Sequence, residues 1–106
     1  MATVVFAFVN TGTKTVYGKA IMVSEGKEGM LLHIETVPKY RKLGIGTLFM
    51  DHIMDLFDSI VTAADSEEGQ AFCLKCGFEL EKSSINEHTQ LVWRKPVEVE
   101  CKKIIS

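Results

Sequence analysis

A chain of 106 residues and 11.8 kDa is one domain's length, which excludes a two-domain enzyme, and 46% hydrophobic with 25% charged residues is an ordinary globular composition. Twelve basic against fourteen acidic side chains, a formal charge of −2, argue against a protein that grips nucleic acid through its phosphates. Three cysteines, an odd number, with no apolar leader behind a basic start, lead us to expect a reducing, cytoplasmic setting; the longest apolar runs, such as residues 4–9, fall far short of the roughly 20 that a membrane helix needs.

Residues 3–9 form a β-branched and aromatic run, Asn10, Thr11, Gly12 and Thr13 supply turn chemistry, and residues 14–24 continue as a second strand, giving a hairpin. A second polar, glycine-bearing turn at 25–29 leads into a third apolar strand over 30–37, ended by Pro38, which cannot donate to a strand ladder. After Gly46 the period lengthens from two to nearly four. Leu48, Phe49, His52, Ile53, Leu56 and Phe57 mark an amphipathic helix over 47–59, with Thr47, Asp51, Asp55 and Asp58 opposite. Met50 and Met54 are expected to fill the core, and His52, beside Leu48 and Leu56, to be a core or interface histidine.

A short β-rich run over 59–64 follows. Asp65 and Glu68 have capping-box spacing and open a second helix that Gly77 stops. Residues 78–81 and 89–94 read as two last strands, and 96–106 as a charged tail. The order implies one α/β domain over residues 1–106, its core about 3–95, built as a mixed, mainly antiparallel sheet with helices packed on it.

The chemistry-bearing stretch runs from Val37 through Pro38, Lys39, Tyr40, Arg41, Lys42, Leu43, Gly44 and Ile45 to Gly46, between a strand and a helix. Unpaired amides at a helix N-terminus favour anions, and glycines admit a pyrophosphate to the backbone. Arg41 and Lys42 add charge of the matching sign. The stretch matches neither the Walker loop nor the dinucleotide fingerprint, and a plain glycine turn without a ligand is the alternative.

This stretch resembles the acetyl-coenzyme A pyrophosphate loop of the GNAT superfamily of N-acetyltransferases. Ala71, Phe72, Cys73, Leu74, Lys75, Cys76, Gly77, Phe78 and Glu79 resemble the same family's second segment, a helix ending in Gly-Phe-Glu. The resemblance implies a GNAT-type sheet whose third strand splays from its neighbour to admit pantetheine, with backbone groups of Thr36 and Val37 pairing to it. It implies that Arg41, Lys42, Leu43, Gly44, Ile45, Gly46 and Thr47 hold the pyrophosphate, and that acetyl passes directly from acetyl-coenzyme A to a primary amine with no metal.

Cys73 stands where the family has a tyrosine general acid, and Ser66 where an asparagine often meets the coenzyme. Family members usually carry a strand and two helices before the region equivalent to Thr3. Without these the acceptor site is expected to be open, suited to a protein lysine or N-terminus or to a wall lent by a second subunit in a homodimer. Glu35 and His33, on one face of the third strand, are the candidate bases, with Glu35 preferred; His88 is expected at the surface. Two other readings remain: a GNAT-like module that binds coenzyme A or a protein partner without catalysis, and Cys73 with Cys76 as half of a metal knuckle lacking its second pair.

Overall fold

The computed structural model describes residues 1–63, 66–82 and 89–96. The strands β1 (Ala2–Val9), β2 (Val16–Glu25) and β3 (Glu28–Thr36) form an antiparallel meander. A 3-10 turn, Pro38–Leu43, then enters helix α1 (Ile45–Met54), followed by β4 (Ser59–Ala63), α2 (Glu67–Lys75), β5 (Glu79–Lys82) and β6 (Thr89–Arg94). One six-stranded sheet results, in the order β1-β2-β3-β4-β6-β5. Only β3 and β4 are parallel, as the crossover through α1 requires.

The apolar alternation along β1 sets the layers. Phe6 and Phe8 pack with Ala20, Met22 and Leu31 beneath α1, while Val5 on the other face is 64% exposed. Met50 and Ile53 are fully buried, and Met54 and Phe57 nearly so, which closes the core under the helices. At 0–8% exposure, burial of such side chains contributes roughly 1.5–3 kcal/mol each.

Three local readings are corrected. α1 ends at Met54 rather than near residue 59, because Asp58 and Ser59 donate their amides to the Lys27 carbonyl and turn the chain into β4. Leu48 and Leu56 are about half exposed, and His52 is exposed, so that stripe lies outside the core; the buried stripe is Phe49, Met50, Ile53 and Met54. The N-cap of α2 is Ser66, whose hydroxyl accepts the Gly69 amide at 3.0 Å; Asp65 lies outside the described residues. Gly77 follows the helix at φ +101° and stops it as expected.

Candidate coenzyme site

The β3–β4 ladder is short. It joins Glu28, Gly29, Met30 and Leu31 to Ser59, Ile60, Val61 and Thr62, and the Thr62 hydroxyl donates to the Leu31 carbonyl at 2.9 Å as the last rung. At that point the β2–β3 register shifts between Ile21 and Met22, leaving Leu32 as the extra residue of a bulge. Beyond it β3 runs on against β2 alone, and the two parallel strands part.

The parting leaves a cleft of about 330 Å³ whose lining includes Met30, His33, Ile34, Thr62, Phe72 and Cys73. Met30 and His33 belong to the open face of the sheet, and Ile34 and Phe72 to the helix-covered face, so the cleft passes through the sheet. On the helix side it meets a groove of about 720 Å³ whose lining includes Thr36, Arg41, Gly44, Gly46, Thr47 and Gly69; His33, Ile34, Gly69 and Phe72 line both spaces.

The groove is built on the start of α1. The first intrahelical bond runs from the Leu48 amide to the Gly44 carbonyl at 3.2 Å, so the amides of Ile45, Gly46 and Thr47 precede the i−4 ladder and carry the positive end of the dipole. Gly44 sits at φ +73°, where a side chain is strained, with open space where a Cβ would stand. Gly46 is different: a Cβ there would lie 3.2 Å from Phe72 Cε1 and 3.3 Å from Thr36 Oγ1. Its bareness lets α1, α2 and β3 converge on the groove floor. The 3-10 turn is anchored behind, where Tyr40 packs edge-on against Tyr17 at 4.8 Å and Asn10 Nδ2 donates to Tyr17 Oη at 3.1 Å.

Arg41 Nε donates to the Thr36 carbonyl at 3.1 Å, which orients the guanidinium at the groove and leaves both Nη atoms for an anion. Leu43 is 70% exposed at the turn's end and Ile45 half-buried; the Lys42 side chain lies outside the described residues. The pairing expected of Val37 is corrected. Its amide donates to the Tyr17 carbonyl and its carbonyl accepts from the Tyr40 amide, both at 2.8 Å. With Val37 bonded to β2, the antiparallel alternation turns the backbone groups of Thr36 and Ile34, one and three positions before it and so in the opposite phase, toward the cleft instead. Ile34 was not singled out in the sequence; counting the ladder's alternation back from Pro38 would have found it.

On the open face, His33 Nε2 lies 3.1 Å from Glu35 Oε2, and Lys19 Nζ lies 3.5 Å from Glu35 Oε1. The His33 hydrogen bond first of all, with Lys19 adding to it, holds the Glu35 carboxyl below its ordinary range against the opposing effect of desolvation. That favours a carboxylate that orients its neighbour over one that takes up protons.

Cys73 lines the cleft and is 5% exposed, and burial raises its pKa. Cys76 is pushed up to about 11, by burial first and then by Cys73 and Asp51, against lowering by Lys75 and a hydrogen bond from the Thr47 side chain. Both thiols are free. Ser66 also lines the cleft, but its oxygen is engaged as the α2 cap. His88 and Cys101 lie outside the described residues. Among the described residues no group of three or more His, Cys, Asp or Glu is placed to hold a metal ion, and no helix is long and apolar enough to cross a membrane.

No protein-family model and no curated protein matches the sequence. Solved structures do. Tetrahymena GCN5 aligns with a TM-score of 0.73 and 14% identity over 92% of this chain and 71% of its own. The ribosomal-protein-S18-alanine N-acetyltransferase of Escherichia coli aligns at 0.63 and 17% over 98% and 75%. The PaiA N-acetyltransferase of Thermoplasma acidophilum, solved in complex with coenzyme A, aligns at 0.62 and 18% over 85% and 60%. These alignments, over a single six-stranded mixed sheet with two helices, establish that the chain has the GNAT N-acetyltransferase fold.

Proposed function

We propose that the protein binds acetyl-coenzyme A and transfers its acetyl group to a primary amine presented by a bulky acceptor, a protein lysine or N-terminus. The observation that carries this reading is the through-sheet cleft continuous with a groove at the α1 N-terminus. A pyrophosphate is suited to the groove, where the amides of Ile45, Gly46 and Thr47 and the Arg41 guanidinium supply donors and charge. An extended pantetheine is suited to the cleft, where the backbone groups of Ile34 and the amide of Thr36 turn toward it, the Thr36 carbonyl being held by Arg41. Leu43, exposed at the end of the 3-10 turn, borders this loop at its rim.

In this reading the thioester emerges on the open face beside His33. The neutral amine attacks the carbonyl carbon, the C–N bond forms, an outward-facing strand amide steadies the oxyanion, and collapse breaks the C–S bond and expels the thiolate. His33 takes the proton from the attacking nitrogen, and Glu35 orients the ring, a change from the preference for Glu35 as base. Cys73, which lines the cleft, is the candidate to return a proton to the thiolate. Exposed Met30 and Leu32, at 50% and 55%, flank His33 and suit a polypeptide acceptor better than a small one. The two free thiols accord with a reducing, cytoplasmic setting.

A second reading has one observation in its favour. Burial makes Cys73 a weaker acid than a free thiol, which accords with a module that holds the coenzyme and transfers slowly or not at all. Titration calorimetry with acetyl-coenzyme A and coenzyme A, followed by an acetylation screen on lysine-bearing proteins, separates the cases. Binding with transfer supports the enzyme, binding without transfer supports the module, and no binding refutes both.

A further inference from the structure

The hydroxyls and the thiol in the wall of the through-sheet cleft differ in what they are bonded to. Thr62 donates its hydroxyl to the Leu31 carbonyl, and the Ser66 oxygen accepts the Gly69 amide. Cys73 lines the same cleft from α2 and is 5% exposed, and burial is the one influence that raises its pKa, with no hydrogen bond or charge beside it. Its thiol is free. It is thus a buried polar group of the cleft wall without a partner among the described residues. Cys76, one turn on, is its opposite: it lines neither the cleft nor the groove, and the Thr47 side chain hydrogen-bonds it.

The direction of the cleft fits a displacement at sulfur. A thiolate attacks a disulfide in line, so the leaving sulfur departs on the side away from the attacker. Cys73 belongs to the helix-covered core, whereas Met30 and His33, which line the same cleft, lie on the other face of the sheet. An attack launched from α2 therefore sends the leaving group along the cleft and out through the sheet, not into the core.

We propose that Cys73 is a thiol–disulfide exchange site for pantetheine-bearing disulfides, with coenzyme A disulfide as the reagent, and that the mixed disulfide so formed locks the site. The inference rests on the coenzyme reading above, which puts a pantetheine chain and its sulfur in this cleft. The Cys73 thiolate attacks the nearer sulfur, the new Sγ–S bond forms and the original S–S bond breaks. The second half leaves as a thiolate and takes up the proton that Cys73 gave up. One disulfide replaces another, so no outside oxidant enters. Burial slows Cys73 toward disulfides that do not bind, because the thiolate is the nucleophile. A coenzyme held by the groove offsets this through proximity, for which effective molarities reach about 10⁵ M and more. Selectivity for the bound disulfide follows from both. The attached pantetheine fills the cleft, and transfer stops until a thiol reductant releases it.

The test incubates the reduced full chain with coenzyme A disulfide or with glutathione disulfide at equal concentration. The Cys73 peptide is followed by mass spectrometry, beside titration calorimetry with coenzyme A. Cys73 is expected to gain one coenzyme A at least roughly a hundredfold faster than one glutathione. Excess acetyl-coenzyme A is expected to slow the gain, dithiothreitol to reverse it, Cys76→Ser to keep it and Cys73→Ser to abolish it. Coenzyme A that binds in the calorimeter while its disulfide leaves Cys73 unlabelled overturns the inference and leaves the coenzyme reading intact. Equal rates for the two disulfides, or an adduct on Cys76 instead, do the same. No heat with coenzyme A refutes the reading and the inference together.

Discussion

Replacing Gly46 and Gly44 separately with alanine tests whether the groove depends on the close approach of α1, α2 and β3. At Gly46 the new methyl would sit 3.2 Å from Phe72 Cε1 and 3.3 Å from Thr36 Oγ1, a few tenths of an ångström inside comfortable contact. Helix propensity favours alanine by about 1 kcal/mol, while overpacking costs about 1–3 kcal/mol, so Gly46→Ala should lose between about 0 and 2 kcal/mol of stability. The methyl intrudes between two groove-lining residues, and coenzyme A should bind at least about tenfold more weakly, a loss of about 1.4 kcal/mol. At Gly44 the methyl meets nothing within 4 Å, but the φ of +73° costs about 1–2 kcal/mol, partly offset by about 0.4–1 kcal/mol of lost unfolded-state entropy. Urea unfolding gives the stabilities and titration calorimetry the affinities. The reasoning fails if Gly46→Ala binds coenzyme A as tightly as the wild type, or if Gly44→Ala is the more damaging of the two to binding at equal stability.

Ser66→Ala should cost about 1 kcal/mol by removing the α2 cap, measurable as a lower urea midpoint; no change would mean that the hydroxyl does not carry the cap. Because the Glu35 carboxyl is held below its ordinary 4.5, its stabilising effect is complete above that value and is lost as pH falls through the lowered one. Glu35→Gln should therefore narrow the stability difference between neutral and strongly acidic solution, and an unchanged difference would count against the His33–Glu35–Lys19 contacts. With its thiol pushed from 9.0 to about 11, Cys76 should alkylate roughly a hundredfold more slowly than a free cysteine at pH 8, followed by peptide mass spectrometry. Fast labelling there would show that the α2–α1 packing around it opens readily.

Much of the architecture is legible in short stretches of residues. The alternation at 3–9, the change of period after Gly46 and the stop at Gly77 each report a local preference, and β1, the start of α1, the end of α2 and β6 stand where those preferences place them. Errors gather where a distant group competes. α1 shortens because the Lys27 carbonyl claims the amides after Phe57, and the Leu48–His52–Leu56 stripe stays outside because the sheet is met by Phe49, Met50 and Ile53 instead. From its spacing alone, either stripe would have served as the buried one.

The candidate site divides the same way. That glycines and basic residues lie between a strand and a helix is a property of the sequence, since backbone conformation and charge order are local. That Val37 is spent on Tyr17 while Thr36 and Ile34 turn toward a cleft depends on the register of β2 against β3. The cleft itself depends on a bulge at Leu32 and on where β4 stops pairing. Strand register is set by residues far apart in the chain, and one step of slip turns every side chain to the other face. The chain's own periodicity therefore determined its elements and the position of the anion-binding turn, while the tertiary pairing alone decided which backbone groups are free and where the two parallel strands part.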